Sequence, residues 1–332
     1  MHILTKKSRT WQQDLANVVT DPATLLTMLD LNPALYQEDI KARRLFPMRV
    51  PRSFIELMQK GNPQDPLLKQ VLPLSQEFRQ HPQFMLDPLQ EHQTAIQGLL
   101  HKYESRVLLM LRTGCAVNCR YCFRRHFPYA ENKLNHEALN EAIAYIRARP
   151  TINEVILSGG DPLMATDEHL EKLINTLVSI PHLTRLRIHS RLPVVLPRRL
   201  TDTLAQHLSS SRLKAILVLH INHPQEIGEA LQQNLKQYQA QGITLLNQAV
   251  LLQDINNSSS TLIELSEKLF QAGILPYYLH LLDPVQGAAH FNVSRQEALA
   301  HMQIIRAKLP GFLVPKLVQE LPEQASKTPV FA

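Results

Sequence analysis

The sequence predicts an α/β protein, an open parallel barrel of about six strand–helix units behind a helical preface. Three observations carry this. Residues up to about 95 show helical periodicity broken repeatedly by Pro and Gly. From about residue 106 short β-branched apolar runs alternate with amphipathic stretches, and a compact cysteine triplet directly follows the first of those runs. The chain has 332 residues, 44% hydrophobic and 19% charged, which is ample for one large core or two modest ones and excludes a disordered or collagen-like chain.

Within the preface, residues 11–29 read as helix interrupted at Asp21-Pro22, and a helix over 53–58 runs into the turn Lys60-Gly61-Asn62-Pro63. Beyond it the predicted strands are 107–112, 154–158, 185–190, 215–220, 244–252 and 276–282. Helices are predicted at 137–148, 168–179, 198–209, 225–241, 261–271 and 295–308. Strand–helix alternation implies right-handed crossovers in a parallel sheet, and in such barrels reactive groups gather where the strands end. The expected division is a helical region over 1–95, the barrel over 96–310 and a C-terminal segment over 311–332.

Charge and hydropathy narrow the function classes. A net charge of +6 is modest for this length, with no run of five like charges and no nucleic-acid signature, so no nucleic-acid partner is expected. No apolar run approaches the roughly 20 residues of a bilayer span, and the opening residues lack a secretory signal, so a cytoplasmic protein without a membrane partner is expected.

Cys115, Cys119 and Cys122 form a C-x3-C-x2-C triplet, an odd count in one place that suits a metal or redox site better than disulfides. Three thiolates can hold three irons of a [4Fe–4S] cluster and leave the fourth iron open for a ligand. The alternative is a closed zinc site completed by His126. After the second predicted strand, Ser158-Gly159-Gly160-Asp161-Pro162 offers two glycines where backbone must come close to a ligand or to neighbouring chain. His220 and His223 make an H-x2-H spacing without further ligands nearby, and read as packing or pocket residues.

With Tyr121 before its last Cys, the cysteine loop resembles that of radical S-adenosylmethionine (SAM) enzymes, whose partial (β/α)6 barrels carry a [4Fe–4S] cluster after strand one. Gly159-Gly160-Asp161 is similar to that family's Gly-Gly-Glu segment, with Asp replacing Glu. A narrower resemblance, to the lysine 2,3-aminomutases and most closely to the bacterial branch that makes β-lysine for elongation factor P, covers about residues 45 to 332. It is carried by Pro51-Arg-Ser-Phe-Ile, Cys122-Phe-Arg-Arg-His-Phe, Arg191-Leu-Pro-Val-Val-Leu-Pro, His220-Ile-Asn-His-Pro, Asn247-Gln-Ala-Val-Leu-Leu, Pro276-Tyr-Tyr-Leu-His-Leu-Leu-Asp283, Gly287-Ala-Ala-His-Phe and Ser326-Lys327-Thr328-Pro329.

The resemblance implies a second cofactor, pyridoxal 5′-phosphate (PLP), held through a lysine amine in a C-terminal PLP-binding tail. Lys327 matches that lysine, although Glu323-Gln324-Ala325-Ser326 stands where the family has a Gly run; Lys316 is the rival. By the same resemblance Tyr103 and Arg106 hold PLP, while Tyr121, Gly159, Gly160, Asp161 and Gln248 contact SAM. Arg124 takes the substrate carboxylate with its planar fork. Asp283 and Glu320 pair with the distal ammonium of lysine, Glu320 standing where the lysine-fermenting branch has Asp. The implied activity is an isomerisation of L-lysine to β-lysine: a SAM-derived radical removes hydrogen at C3, nitrogen migrates on PLP and hydrogen returns.

The implied partners are lysine, a reductant such as flavodoxin or ferredoxin, elongation factor P with its lysyl-transferring enzyme, and a second copy in a homo-oligomer. Two other functions fit parts of the sequence. A PLP-independent radical SAM enzyme, for example one modifying RNA, would not need Lys327. A zinc-bound nucleic-acid module would need neither iron nor the glycine pair. Protein-bound lysine is an alternative substrate.

Overall fold

A computed structural model describes residues 10–92, 96–128, 132, 134–322, 324 and 326–331. Residues 1–9 and 93–95 of the expected helical region, and Glu323 and Ala325 near Lys327, lie outside the described residues. Local capping explains why the preface is a set of short helices. Thr10 caps Trp11–Ala16, and Asp21 caps Pro22–Met28 by accepting the Thr24 N–H at 2.9 Å, with proline at the first helical position. The helix expected over 53–58 is the shorter Arg52–Ile55, and Gly61 turns the chain with φ +70°.

The barrel is one nine-stranded sheet whose spatial order is the chain order. The strands are β1 (Leu99–Tyr103), β2 (Arg106–Arg112), β3 (Glu154–Gly159), β4 (Arg185–Ser190), β5 (Lys214–Leu219), β6 (Thr244–Val250), β7 (Leu275–His280), β8 (Lys316–Gln319) and β9 (Thr328–Pro329). Pairings from β2 through β8 are parallel, and β1 and β9 lie antiparallel along the two edges. The six expected strands are β2 to β7, shifted by a residue or two at their ends. Three more strands appear, β1, β8 and β9, because a strand of two to five residues has little room to display an alternating pattern.

Helices follow the strands as expected, at His136–Arg147, Asp167–Val178, Asp202–Ser210, Glu229–Ala240, Ser259–Gln271 and Arg295–Lys308. Two start later than their periodicity suggests. Thr201 and Gly228 are the actual N-caps, and Pro197–Arg199 and Pro224–Glu226 form separate 3-10 turns ahead of them. Trp11, Leu25, Phe54 and Leu67 of the preface share one apolar core with Leu109, Leu157 and Leu217 of the barrel. Among the described residues no helix is long and apolar enough to cross a membrane.

Strand alternation decides what the barrel encloses. In β4, Leu186 and Ile188 are buried toward the helices while Arg187 and His189 face a central cavity. Parallel register brings Ile156 beside Arg187, Gln248 beside Tyr278, and Val250 beside His280, all on the same lining. Arg187 is not left as a lone inward charge, since its Nε donates to Glu154 at 2.7 Å.

Candidate active site

The cavity, about 570 Å³, lies where the strands end, with the cysteine loop at one side and Lys327 at another. Cys115, Cys119 and Cys122 all line it, on the loop after β2. That loop is anchored from behind by the preface. Glu77, fully buried, accepts from Arg120 Nε at 2.8 Å and from Arg125 Nη2 at 2.5 Å, and Arg120 also donates to the Phe46 carbonyl at 2.7 Å. Burial pushes all three thiols up, Cys122 to about 11; Cys115 is raised further by Asp161 and the other two thiols, and Cys122 by Cys119. Such a set holds protons when empty, and iron would supply the positive charge that lets the thiolates form.

Among the described residues no three His, Cys, Asp or Glu side chains converge as ligands of a single metal ion. Thiols around a cluster each hold a different iron and need not converge. His126 bonds the Gln286 carbonyl at 3.0 Å.

Behind Cys119 a buried polar net joins four chain segments. Arg191 and Asn222 both donate to the Tyr121 hydroxyl, Asn222 at 2.6 Å, and Arg191 Nη2 also reaches Gln70 at 2.8 Å and Glu226 at 3.2 Å. Burial raises Cys119, while Arg191 and a hydrogen bond from Tyr121 pull it back. The hydroxyl of Tyr121 is thus engaged by protein, and its ring packs edge-on against Phe291.

The glycine pair has a packing reason. A Cβ on Gly160 would stand 2.6 Å from the Gly114 carbonyl oxygen, and Gly159, at φ +111°, would set one 2.7 Å from the Arg112 carbonyl oxygen. Only glycines let the β3 loop lie this close to the chain leading into Cys115. Asp161 is equally committed. Its carboxylate accepts from Leu163 N at 3.0 Å, Ser190 Oγ at 2.7 Å, Arg191 N at 2.9 Å and Leu192 N at 2.8 Å. Its side chain therefore braces two loops, and any contact with a ligand falls to its backbone.

At the opposite side, Lys327 and Glu320 lie either side of the turn between β8 and β9, and both line the cavity. Lys327 Nζ donates to Glu320 Oε2 at 2.5 Å, and Tyr103 donates its hydroxyl to Glu320 Oε1 at 3.2 Å. Burial would raise Glu320, but Lys327 outweighs it and holds the carboxyl below its usual range. Asp283 follows β7 on the same wall and makes no ion pair among the described residues. Burial and then Glu320 push it up to about 7. Arg106 stacks 4.0 Å over the Tyr103 ring and has no carboxylate partner among the described residues. The rival Lys316 is exposed at the start of β8, off the cavity lining.

Between the two sides, Arg124 is buried and paired with Glu91 at 2.8 Å, and its Nη1 donates to Ser158 Oγ and the Gly159 carbonyl, each at 3.2 Å. The expected carboxylate-binding arginine thus already carries a protein carboxylate, itself shared with Lys102 at 2.8 Å. Among the described residues, the buried polar atoms of cavity-lining side chains that have no hydrogen-bond partner include Nε2 of His189, His220 and His280, and Oε1 of Gln248. Desolvation keeps the imidazoles neutral, with His220 pushed down to about 3. His223 instead caps the following 3-10 turn through Gln225 N.

Sequence reading passed over Glu91, His189 and His280. The two histidines had a signal, since each stands at an inward position of a barrel strand, His189 in alternation with buried Leu186 and Ile188 and His280 at the end of β7. Glu91 had none, because it comes from a loop whose path is set only by tertiary packing.

Comparisons with known proteins identify the family. The profile of the Radical SAM superfamily matches residues 110–229. L-lysine 2,3-aminomutase of Escherichia coli is 51% identical over 96% of this chain and 94% of its own length. The enzyme of that name from Haemophilus influenzae is 49% identical over 97% and 96%, respectively. That of Clostridium subterminale is 35% identical over 85% of this chain and 68% of its own length.

Proposed function

Because the chain belongs to the L-lysine 2,3-aminomutases of the radical SAM superfamily, it is an isomerase of that type, and we propose how its own residues divide the work. The single observation behind the division is one cavity with three thiols at one side and Lys327 beside acidic groups at another. A [4Fe–4S] cluster with SAM supplies the radical chemistry, and PLP supplies the carbonyl that carries the migrating amino group.

Cys115, Cys119 and Cys122 hold the cluster, and Tyr121, Gly159, Gly160, Asp161 and Gln248 shape the SAM pocket. The unpartnered Gln248 oxygen and His220 nitrogen suit a polar ligand, since a buried polar group left unpaired is costly. Lys327 holds PLP. Glu320 Oε2 is placed to accept the proton that Nζ must lose before it can attack a carbonyl. Arg106, cationic and without an acidic partner among the described residues, fits the phosphate, with Tyr103 fixing its plane.

Arg124 binds the α-carboxylate, and Glu91 orients its fork while sharing its charge with Lys102. That role supports free lysine over protein-bound lysine, whose α-carboxyl is an amide. Asp283 and Glu320 receive the distal ammonium; burial and the charge of Glu320 raise the proton affinity of Asp283, and an added cation would relieve both. The near-half identity to the E. coli and H. influenzae enzymes supports assigning the β-lysine product to elongation factor P.

The test is anaerobic purification and cluster reconstitution of wild type and Lys327→Ala, with iron, sulfide and visible spectra before and after borohydride. Wild type is expected to hold about four irons per chain and a borohydride-sensitive PLP band. Lys327→Ala keeps the iron, loses the band and loses lysine turnover by at least about 10⁴-fold. Iron without a PLP band in either protein would replace this reading with a PLP-independent radical enzyme.

A further inference from the structure

On the radical SAM reading the cluster at the cysteine side takes up an electron from outside the chain, and a cavity filled with ligands is a poor route for a protein donor. On the other face of the cysteine loop the surface opens into a second hollow of about 480 Å³, lined by Arg43, Arg44, Pro47, Arg49 and Asn118 among others. Pro47, Arg49 and Asn118 line both spaces, so these residues are the wall between them. The wall is stitched shut by hydrogen bonds from Asn118 Nδ2 to the Pro47 carbonyl at 2.9 Å and from Asn118 N to the Arg49 carbonyl at 3.1 Å. Asn118 is also one peptide bond from Cys119. The floor of the hollow is therefore covalently next to a thiol of the cluster site.

The rim is cationic. Residues 40–49 contain Lys41, Arg43, Arg44 and Arg49 and no acid. Arg43 pairs with Asp21 at 3.0 Å and Lys41 with Glu38 at 2.5 Å, but both pairs are largely solvent-exposed and weak. Arg44 stacks over Phe78 at 4.7 Å, which fixes its position without neutralising it.

We propose that this hollow is the docking surface of a small acidic one-electron carrier protein. The proposal rests on the radical SAM reading above. One electron leaves the carrier and one arrives at the cluster through Asn118 and Cys119, with no bond made or broken. Opposite charge would steer the encounter and orient the carrier's redox group toward Asn118.

The test is stopped-flow reduction of the reconstituted holoenzyme by flavodoxin hydroquinone at low and high salt, with photoreduced deazaflavin as a small reductant that needs no docking. Arg43→Glu/Arg44→Glu is expected to slow reduction by flavodoxin about tenfold at low salt, within the range of steering effects. Arg43→Gln/Arg44→Gln should fall between, and deazaflavin should reduce all three proteins to the same extent, which also shows that the variants fold and hold the cluster. Equal flavodoxin rates for wild type and variants, with deazaflavin reduction intact, would overturn the docking surface alone. So would charge-dependent retention of an RNA oligonucleotide with no change in those rates, which would assign the hollow to nucleic acid. A protein that no reductant changes would overturn the cluster reading and this proposal together.

Discussion

The two sides of the cavity are finished to different degrees. Around Cys119 most charged and polar side chains are already engaged by protein: Asp161 accepts four hydrogen bonds, and Tyr121, Arg191, Asn222 and Glu226 close on one another. Around Lys327 the charges are provisional. Glu320 is held by the very lysine expected to be used up by the cofactor, and among the described residues neither Asp283 nor cavity-lining Arg106 makes an ion pair. A rigid frame suits a cluster whose ligands must not move, whereas unbalanced charges suit small molecules that arrive carrying the missing counter-charges.

Removing a cluster ligand should break the rigid side completely. Cys119→Ala is expected to lose most iron and all detectable turnover while Lys327 still gives a borohydride-trapped PLP adduct, measured by iron assay and mass spectrometry. A variant that kept four irons would mean the frame does not depend on this thiol.

The next largest effect sharpens the difference with one methyl group. Gly160→Ala puts a Cβ 2.6 Å from the Gly114 carbonyl oxygen, backbone that cannot rotate away. Overpacking of this kind costs about 1–3 kcal/mol, so SAM affinity by calorimetry should fall up to about a hundredfold, with PLP binding unchanged. Equal loss at both sides would show global unfolding in place of a local shift.

The smallest effect probes the provisional side through pH. Asp283→Asn should raise the KM for lysine about tenfold, the scale of one charged hydrogen bond. In the ligand-free enzyme the Asp283 carboxyl is raised from 3.8 to about 7. Across that window the unfolded chain has released the proton and the folded chain keeps it, so wild-type stability falls as pH rises through about 7. Asn cannot titrate, so the melting temperature of Asp283→Asn relative to wild type should climb from about pH 4 to about pH 8. A difference that stays flat would place Asp283 in contact with solvent or a cation.

Local signals in the sequence were enough for much of this. The Cys115–Cys122 spacing lies within one loop, so its chemistry is readable without a fold, and the main strands and helices followed from periods of 2 and 3.6. Strands β8 and β9, which carry Glu320 and Lys327 to the cavity, were not readable, because four and two residues hold too little pattern.

By itself, then, the sequence determined the α/β alternation, the thiol triplet and the presence of a lysine near the end, all properties of residues close together in the chain. Only the tertiary structure decided that Lys327 and not Lys316 reaches the cavity, that Glu91 from a distant loop sits on Arg124, that Asp161 is spent on bracing, and that His189 and His280 remain neutral with buried unpaired nitrogens. Partners in a hydrogen bond or ion pair are chosen by distance in space, and burial sets what an unpaired charge costs; neither quantity exists until the chain has folded.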